Sequence, residues 1–290
     1  MLITNGNGTV PDMEVVANGI DLWVEQAGDG DGPPILLISG ADSPCLRWTP
    51  AYLDPLVVAG MQVIRYDLRD VGRSQVIAHD QPYRLDDLAA DALGVLDAMG
   101  LGSAHVVGRS MGAMIGQVLA LEHPDRVRSL TIVSSTPGLG DPRLSAAADA
   151  VVDSLAERLF QPPPRDDDAR LDWVIDGYRI FNGPGFAFEE ALQQALARSE
   201  IDVAWRPETG HGVAVNASPS RLDRLGEIAV PTLVVHGDAD GVFGMDHARA
   251  LHTGIAGSEL WVVPGLGHEL PDALAPAFTD RLLAFLAHVP

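Results

Sequence analysis

Apolar residues fall in short dense runs separated by amphipathic stretches, and the two periodicities alternate along most of the chain. From Met13, "MEVVANGIDLWVEQAG" alternates apolar and polar positions on either side of Asn18-Gly19, and predicts an antiparallel hairpin. "PPILLISG", Pro33 to Gly40, is apolar at successive positions, as in a strand buried on both faces. Runs of the same kind recur at "MQVIRYD", "AHVVG", "SLTIVSS", "PTLVVHG" and "LWVVPG". Between the first two runs, "WTPAYLDPLVVAG" has helical spacing and stops at Gly60. "RLDDLAADALGVLDAMG" sets Leu85, Leu88, Leu93, Leu96 and Met99 on a helical period and stops at Gly100. Strands alternating with helices at this spacing predict an α/β fold. Its mostly parallel sheet of eight strands has helices on both faces and the hairpin at one edge.

The alternation stops between residues 137 and 228. There the pattern is helical, in "AAADAVVDSLAERLF", "RLDWVIDGYRIF" and "FEEALQQALARSE", broken by "QPPPRDDD", a proline and charge cluster that reads as a loop. Because the sheet resumes afterwards, 137–228 is expected to be a helical cap inserted into a core made of residues 1–136 and 229–290. No internal repeat is visible.

Composition narrows the chemistry. A chain of 290 residues, 47% hydrophobic, can bury one large core. All 19 basic residues are arginine, which removes Schiff-base, phosphate-loop-lysine and lysine-base mechanisms. Against 40 acids the net charge is −21, a field that repels nucleic acid and anionic membrane. With one cysteine, Cys45, no intrachain disulfide and no cysteine-pair zinc site can form. Nothing near Cys45 lowers a thiol pKa, so it is expected to be inert. The start, "MLITNGNGTVPDM", has neither the basic nor the apolar segment of a signal peptide. No apolar run reaches the roughly 18 residues a membrane span needs. The expectation is a soluble, cytoplasmic chain without nucleic-acid or membrane partners.

One position stands out against this background. In "HVVGRSMGAMIGQVLALEH", Ser110 sits between Gly108 and Gly112, directly after a buried strand and directly before a helical pattern. Gly-x-Ser-x-Gly is a weak signal by itself, but at a strand–turn–helix junction it describes an elbow that exposes the hydroxyl above the sheet. The helix start adds free N–H groups and a positive dipole end. A serine hydroxyl is a poor nucleophile and needs a base, which in turn needs orienting. Partners are expected beyond the carboxyl ends of other strands. "TLVVHGDADGVF" offers Asp238 and Asp240 there, and "LWVVPGLGHELP" offers His268 after the last strand. A developing oxyanion needs N–H donors, expected from Met111, next after the serine, and from Ala41 in the loop after the third strand. In that loop Asp42, Cys45 and Trp48 either line the entrance or pack.

"LLISG", "VIRYDLRDVGRS", "VVGRSMGAMIGQVLALEHPDRVRSLTIVSS", "PTLVVHGDAD" and "VPGLGHELP" together resemble the α/β-hydrolase superfamily over nearly the whole chain. The segments "QVIRYDLRDVGRS" and "ADALGVLDAMGLGSAHVVG" look most like its polyketide methylesterases, of the aclacinomycin methylesterase kind. That resemblance implies an α/β-hydrolase fold with a lid. It also implies a nucleophile–acid–histidine set of Ser110, Asp240 and His268, Asp240 being preferred over Asp238 by the family's His-Gly-x-x-Asp pattern. No metal or other cofactor is implied. The substrate implied is a small-molecule hydrophobic ester, a methyl ester or another bulky one, cleaved through an acyl-enzyme. Lactone, thioester or C–C bond hydrolysis on the same residues, or a ligand-binding receptor with slow turnover, are the alternatives. Epoxide and haloalkane hydrolysis are disfavoured, since those relatives carry aspartate at the elbow. Two departures from the family are visible: Ser39-Gly40 replaces its His-Gly, and Arg69-Asp70-Val71-Gly72-Arg73-Ser74 replaces its Arg-Gly-x-Gly-x-Ser. Of the aromatics in the insertion, Trp173, Tyr178, Phe181, Phe186, Phe188 and Trp205, some are expected to line a substrate pocket and the rest to bury helices.

Overall fold

The computed structural model of the chain describes residues 12–78, 80–159 and 163–289. The segment before Asp12, read above for targeting signals, lies outside them, as do Phe160, Gln161 and Pro162 at the end of the first expected insertion helix. The hairpin is β1 (Asp12–Ala17) and β2 (Ile20–Ala27), turning at Asn18 and Gly19, both with positive φ. The buried runs form β3 (Pro34–Ile38), β4 (Gln62–Tyr66), β5 (Ala104–Arg109), β6 (Val127–Val133), β7 (Thr232–Gly237) and β8 (Glu259–Val263). Their order in one eight-stranded sheet is β1-β2-β4-β3-β5-β6-β7-β8. Only the β1–β2 and β2–β4 pairings are antiparallel.

The last run departs from expectation. β8 lies at the sheet's edge against β7 alone, and of its residues only Val263 is buried. Leu260 packs on the core of one face and Trp261 and Val263 on that of the other, so both faces are covered only in part.

Helices α1 (Pro50–Val58) and α9 (Ala275–Leu286) cover one face, where Trp48, Tyr52 and Phe278 pack edge-on or tilted. Helices α2 (Leu85–Ala98), α3 (Met111–Glu122) and α8 (Met245–Gly254) cover the other. Every residue of α3 from Met111 to Ala120 is buried, which fixes the helix that follows the serine. Between β6 and β7 stand α4 (Asp149–Leu159), α5 (Asp167–Phe181), α6 (Glu190–Ala204) and α7 (His211–Asn216). Helix α5 begins a turn earlier than its apolar pattern suggests. Asp166 caps it by accepting Ala169 N–H at 2.9 Å, and Asp167 and Asp168 face the positive dipole end. The polar cluster read as loop is therefore partly helix start. Helix α7 is too short to show a period and was not anticipated.

The chain runs from β3 to β4 on one side and returns to β5 on the other. The loops after β3 and β5 thus diverge and leave a crevice at the carboxyl ends of the strands.

Candidate active site

Ser110 caps α3 with φ 52° and ψ −118°, a backbone conformation that costs a non-glycine residue roughly 1–3 kcal/mol. The surroundings impose it. Ser110 N–H donates to Val133 O at 2.9 Å, and Ser110 O accepts from Ala113 and Met114 N–H and from Ser135 Oγ. The flanking glycines are required by close approach: a Cβ at Gly108 would collide with Gly112 O and Ala113 N, and one at Gly112 with Ile38 and Ser39 carbonyls.

His268, in the loop after β8, brings Nε2 to 3.0 Å from Ser110 Oγ. Its Nδ1 lies 2.9 Å from Asp240 Oδ2, in the loop after β7. Asp240 is fixed on its other oxygen as well, because Oδ1 accepts Val242 N–H at 2.8 Å and Phe243 N–H at 3.1 Å. Burial works to raise the Asp240 carboxyl. The charge and hydrogen bond of His268, with help from His236 and Phe243 N–H, outweigh it and hold the group below the usual carboxylate value. Asp238 points elsewhere and accepts Gly265 N–H at 2.6 Å, bracing the histidine loop. Phe181 and Phe243 flank the imidazole, with ring centroids 5.7 and 5.5 Å away.

Ala41 lies at the mouth of the crevice beside the serine, since a Cβ on its neighbour Gly40 would stand 3.4 Å from Ser110 Cβ. Neither Ala41 N–H nor Met111 N–H is bonded to another protein group among the described residues.

Above this row opens a cavity of about 1410 Å³ lined by Ser110, His268, Ala41 and the inserted helices. Trp173, Tyr178, Phe181 and Trp205 line it, whereas Phe186 packs against the core and Phe188 against the inserted helices. Of the loop residues left open above, Asp42 and Cys45 line the cavity and Trp48 is core. Burial pushes the Cys45 thiol well up, with Asp67 and Glu25 adding to it, so it is not a nucleophile.

Sequence reasoning missed the ionic framework around the row. Arg109 and Glu269, the neighbours of Ser110 and His268, form a buried ion pair that ties the two loops together. Arg47 pairs with Glu200 of α6, stacks on the Tyr178 ring at 3.4 Å and donates to Gln193 Oε1. His268 and Glu269 N–H both donate to Phe181 O at the end of α5, at 2.9 and 3.0 Å. These contacts join residues far apart in the chain, and no local pattern announces them. The one legible hint is that a charge lies beside each of two singled-out positions, Arg109 before Ser110 and Glu269 after His268. Among the described residues, no three His, Cys, Asp or Glu side chains gather to hold a metal ion, and no helix is long and apolar enough to cross a membrane.

Comparison with known proteins agrees with the geometry. The chain is 32% identical over 284 residues to rhodomycin D methylesterase of Streptomyces peucetius, covering 91% of this chain and 94% of that one. It is 31% identical over 273 residues to a putative carbamate hydrolase of Variovorax paradoxus, covering 92% and 97%. A hydrolase from Pseudomonas aeruginosa PA01, known from its crystal structure, superposes with a TM-score of 0.74 at 26% identity over 98% of this chain and 99% of that one. The α/β hydrolase fold family matches residues 33–272. A serine at a strained elbow, a histidine and an aspartate delivered by the last two strands, and this match together make the chain a member of the α/β-hydrolase fold family.

Proposed function

We propose that this hydrolase is a serine carboxylic ester hydrolase acting on a bulky hydrophobic ester, methyl esters included, by way of an acyl-enzyme. The observation that carries the reading is the unbroken line Ser110 Oγ, His268, Asp240 opening on the large, largely apolar cavity. His268 Nε2 takes the proton as Ser110 Oγ attacks the ester carbonyl carbon. Asp240 holds the Nδ1–H tautomer and stabilises the imidazolium. Ala41 and Met111 N–H receive the oxyanion, each lowering the barrier by roughly 3–4 kcal/mol. As the C–O bond breaks, His268 returns the proton to the departing alcohol. Water then enters by the same route, with His268 as base, and frees the acid and Ser110.

Residues 137–228 serve in this reading as a cap whose aromatic residues select the acyl group. A cavity of about 1410 Å³ exceeds the roughly 300–1,000 Å³ of common ligand sites, and supports a substrate of several rings. The lone buried cysteine supports a reducing, cytoplasmic setting. Lactone, thioester or C–C bond hydrolysis needs the same three side chains and is separated by substrate alone.

Fluorophosphonate labelling with peptide mapping tests the nucleophile, and a panel of methyl, aryl and lactone substrates tests the class. The expected result is one labelled peptide containing Ser110, with activity highest on bulky esters and lost in Ser110→Ala. Absence of label, or undiminished turnover in Ser110→Ala, refutes the proposal.

A further inference from the structure

We propose that His211, carried by the cap, is a positioning residue that aims the oxyanion donor of Ala41; this rests on the hydrolase reading above. The loop after β3 turns at Asp42, which has φ 59°, a left-handed conformation that a residue with a Cβ holds only under restraint. The restraint comes from the cap. Asp42 N–H donates to His211 Nδ1 at 2.9 Å. On the far side of the ring, His211 Nε2–H donates to Arg69 O, in the loop after β4, at 3.0 Å.

Two bonds on opposite edges specify the neutral tautomer with a bare Nδ1. The ring is fully buried and meets Tyr83 edge-on, with centroids 6.1 Å apart. Its own backbone N–H donates to Thr209 Oγ1 at 3.1 Å, and the residue before it is tied to the core. Gly210 N–H donates to Asp70 Oδ2 at 3.1 Å, and the same oxygen accepts Tyr83 O–H at 2.7 Å. The Asp42 carboxylate is farther from Nδ1, at 3.3 Å, and is taken by Thr209 Oγ1. His211 is therefore a fixed acceptor to which the loop adapts.

The consequence reaches Ala41 through one Cα. Ala41 joins the peptide that carries its own N–H to the peptide that carries Asp42 N–H. Pinning the second plane restricts the first, and so the direction of the N–H that meets the oxyanion. The other turn bond here, Ser43 N–H to Gly40 O, is 3.4 Å long and holds the loop only loosely. Removal of the Nδ1 acceptor leaves Asp42 N–H to find another partner by rotating its peptide.

Two near-isosteric substitutions separate the edges of the ring. In His211→Asn, Oδ1 stands where Nδ1 stood and keeps the Asp42 bond. In His211→Gln, the amide nitrogen stands where Nε2 stood and keeps the Arg69 bond alone. His211→Gln is expected to lower kcat about 10- to 100-fold, short of or equal to complete loss of a donor, with KM little changed. Affinity for a trifluoromethyl ketone, which forms a tetrahedral adduct on Ser110, should fall by the same factor. His211→Asn should keep kcat and ketone affinity within about threefold of wild type. Thermal unfolding of both variants reports what each loses in packing. A His211→Gln enzyme with unchanged kcat overturns the proposal, as do equal losses of kcat in the two variants, the mark of a merely structural residue. If wild type turns over ester, Ser110→Ala does not and His211→Gln does so at the wild-type rate, this inference alone falls. A wild-type chain that hydrolyses no ester removes the hydrolase reading and this one with it.

Discussion

Replacing Asp240 by asparagine isolates the electrostatic part of the proposed mechanism. The side chain keeps its shape, and its oxygen remains the acceptor for Val242 and Phe243 N–H. The new NH2 group therefore faces His268 Nδ1, which lies 2.9 Å from the carboxylate oxygen it replaces. It donates to that nitrogen and forces the ring proton onto Nε2, 3.0 Å from Ser110 Oγ. The imidazole then offers a donor where the serine needs an acceptor. Two routes give the size of the effect. Loss of base function with geometry intact costs about 10⁴ in kcat in the well-studied serine protease case, or about 5.4 kcal/mol at 1.36 kcal/mol per decade. Independently, the attraction between carboxylate and imidazolium at 2.9 Å is on the order of 6 kcal/mol at an effective dielectric near 20. The assay is steady-state hydrolysis of p-nitrophenyl butyrate near neutral pH, with thermal unfolding as the control for folding. Asp238→Asn is the paired control, because Asp238 braces Gly265 N–H and does not touch His268. The expected outcome is kcat down by about four decades in Asp240→Asn and within about threefold of wild type in Asp238→Asn. An Asp240→Asn enzyme with more than about a tenth of wild-type kcat refutes the reasoning. So does an Asp238→Asn enzyme that loses as much as the Asp240 variant.

Three further outcomes follow from packing and charge. Gly108→Ala drives a methyl group into the backbone of Gly112 and Ala113, and urea unfolding should show a loss of about 3 kcal/mol; an unchanged midpoint would mean that the elbow is looser than described. Glu200→Leu strands the buried Arg47 guanidinium and should destabilise by about 3–5 kcal/mol, while Arg47→Met combined with Glu200→Leu should recover most of it; equal instability of single and double variants argues against a buried pair. His105 is pushed to about 4 by burial, with Arg128 adding to it, and its ring shares a hydrogen bond with Ser129 Oγ. On acidification the unfolded chain takes up its proton first, near pH 6.5, so stability is full above that value and falls as pH drops toward about 4, by at most about 3 kcal/mol. His105→Asn should flatten that segment of the stability–pH curve, and an unaltered slope would show that other groups carry it.

What could be read in advance was what the chain writes locally. A strand buried on both faces and a helix with a glycine stop each show in about ten consecutive residues, so the order and type of the core elements were legible. The serine was legible because a strained elbow demands glycine on both sides, and His268 because its loop follows the last strand. The loop after the strand before it offered Asp238 and Asp240 alike, and only the family's His-Gly-x-x-Asp pattern preferred Asp240. Edge position was not legible: β8 carries the apolar density of an interior strand, yet pairs on one side only. Helix α7 was hidden because six residues hold less than two turns, too few to display a period. The pairs Arg109–Glu269 and Arg47–Glu200 were hidden for another reason. Charged residues are ordinarily solvated, and only the closing of distant segments over one another makes burial of these four favourable.

Those hidden contacts change how the inserted helices should be regarded. A cover that merely swings over a pocket needs few bonds to the groups beneath it. Here the end of α5 supplies Phe181 O to the N–H groups of both His268 and Glu269, α6 supplies Glu200 to Arg47, and α7 supplies His211 to Asp42. Each bond lands within one or two residues of a group in the proposed chemistry, or in the loop that carries its oxyanion donor. The sheet and α3 together fix the elbow, because Ser110 is held by Val133 of β6 and by the first turn of α3. The histidine loop and the loop after β3 are long, glycine-containing and free of ladder bonds, and the inserted segment shares in their order. Helix α4 supplies none of these bonds, and its exposed Val152 and Leu155 line the cavity. The other three helices are as much part of the proposed reacting centre as the sheet that presents the serine.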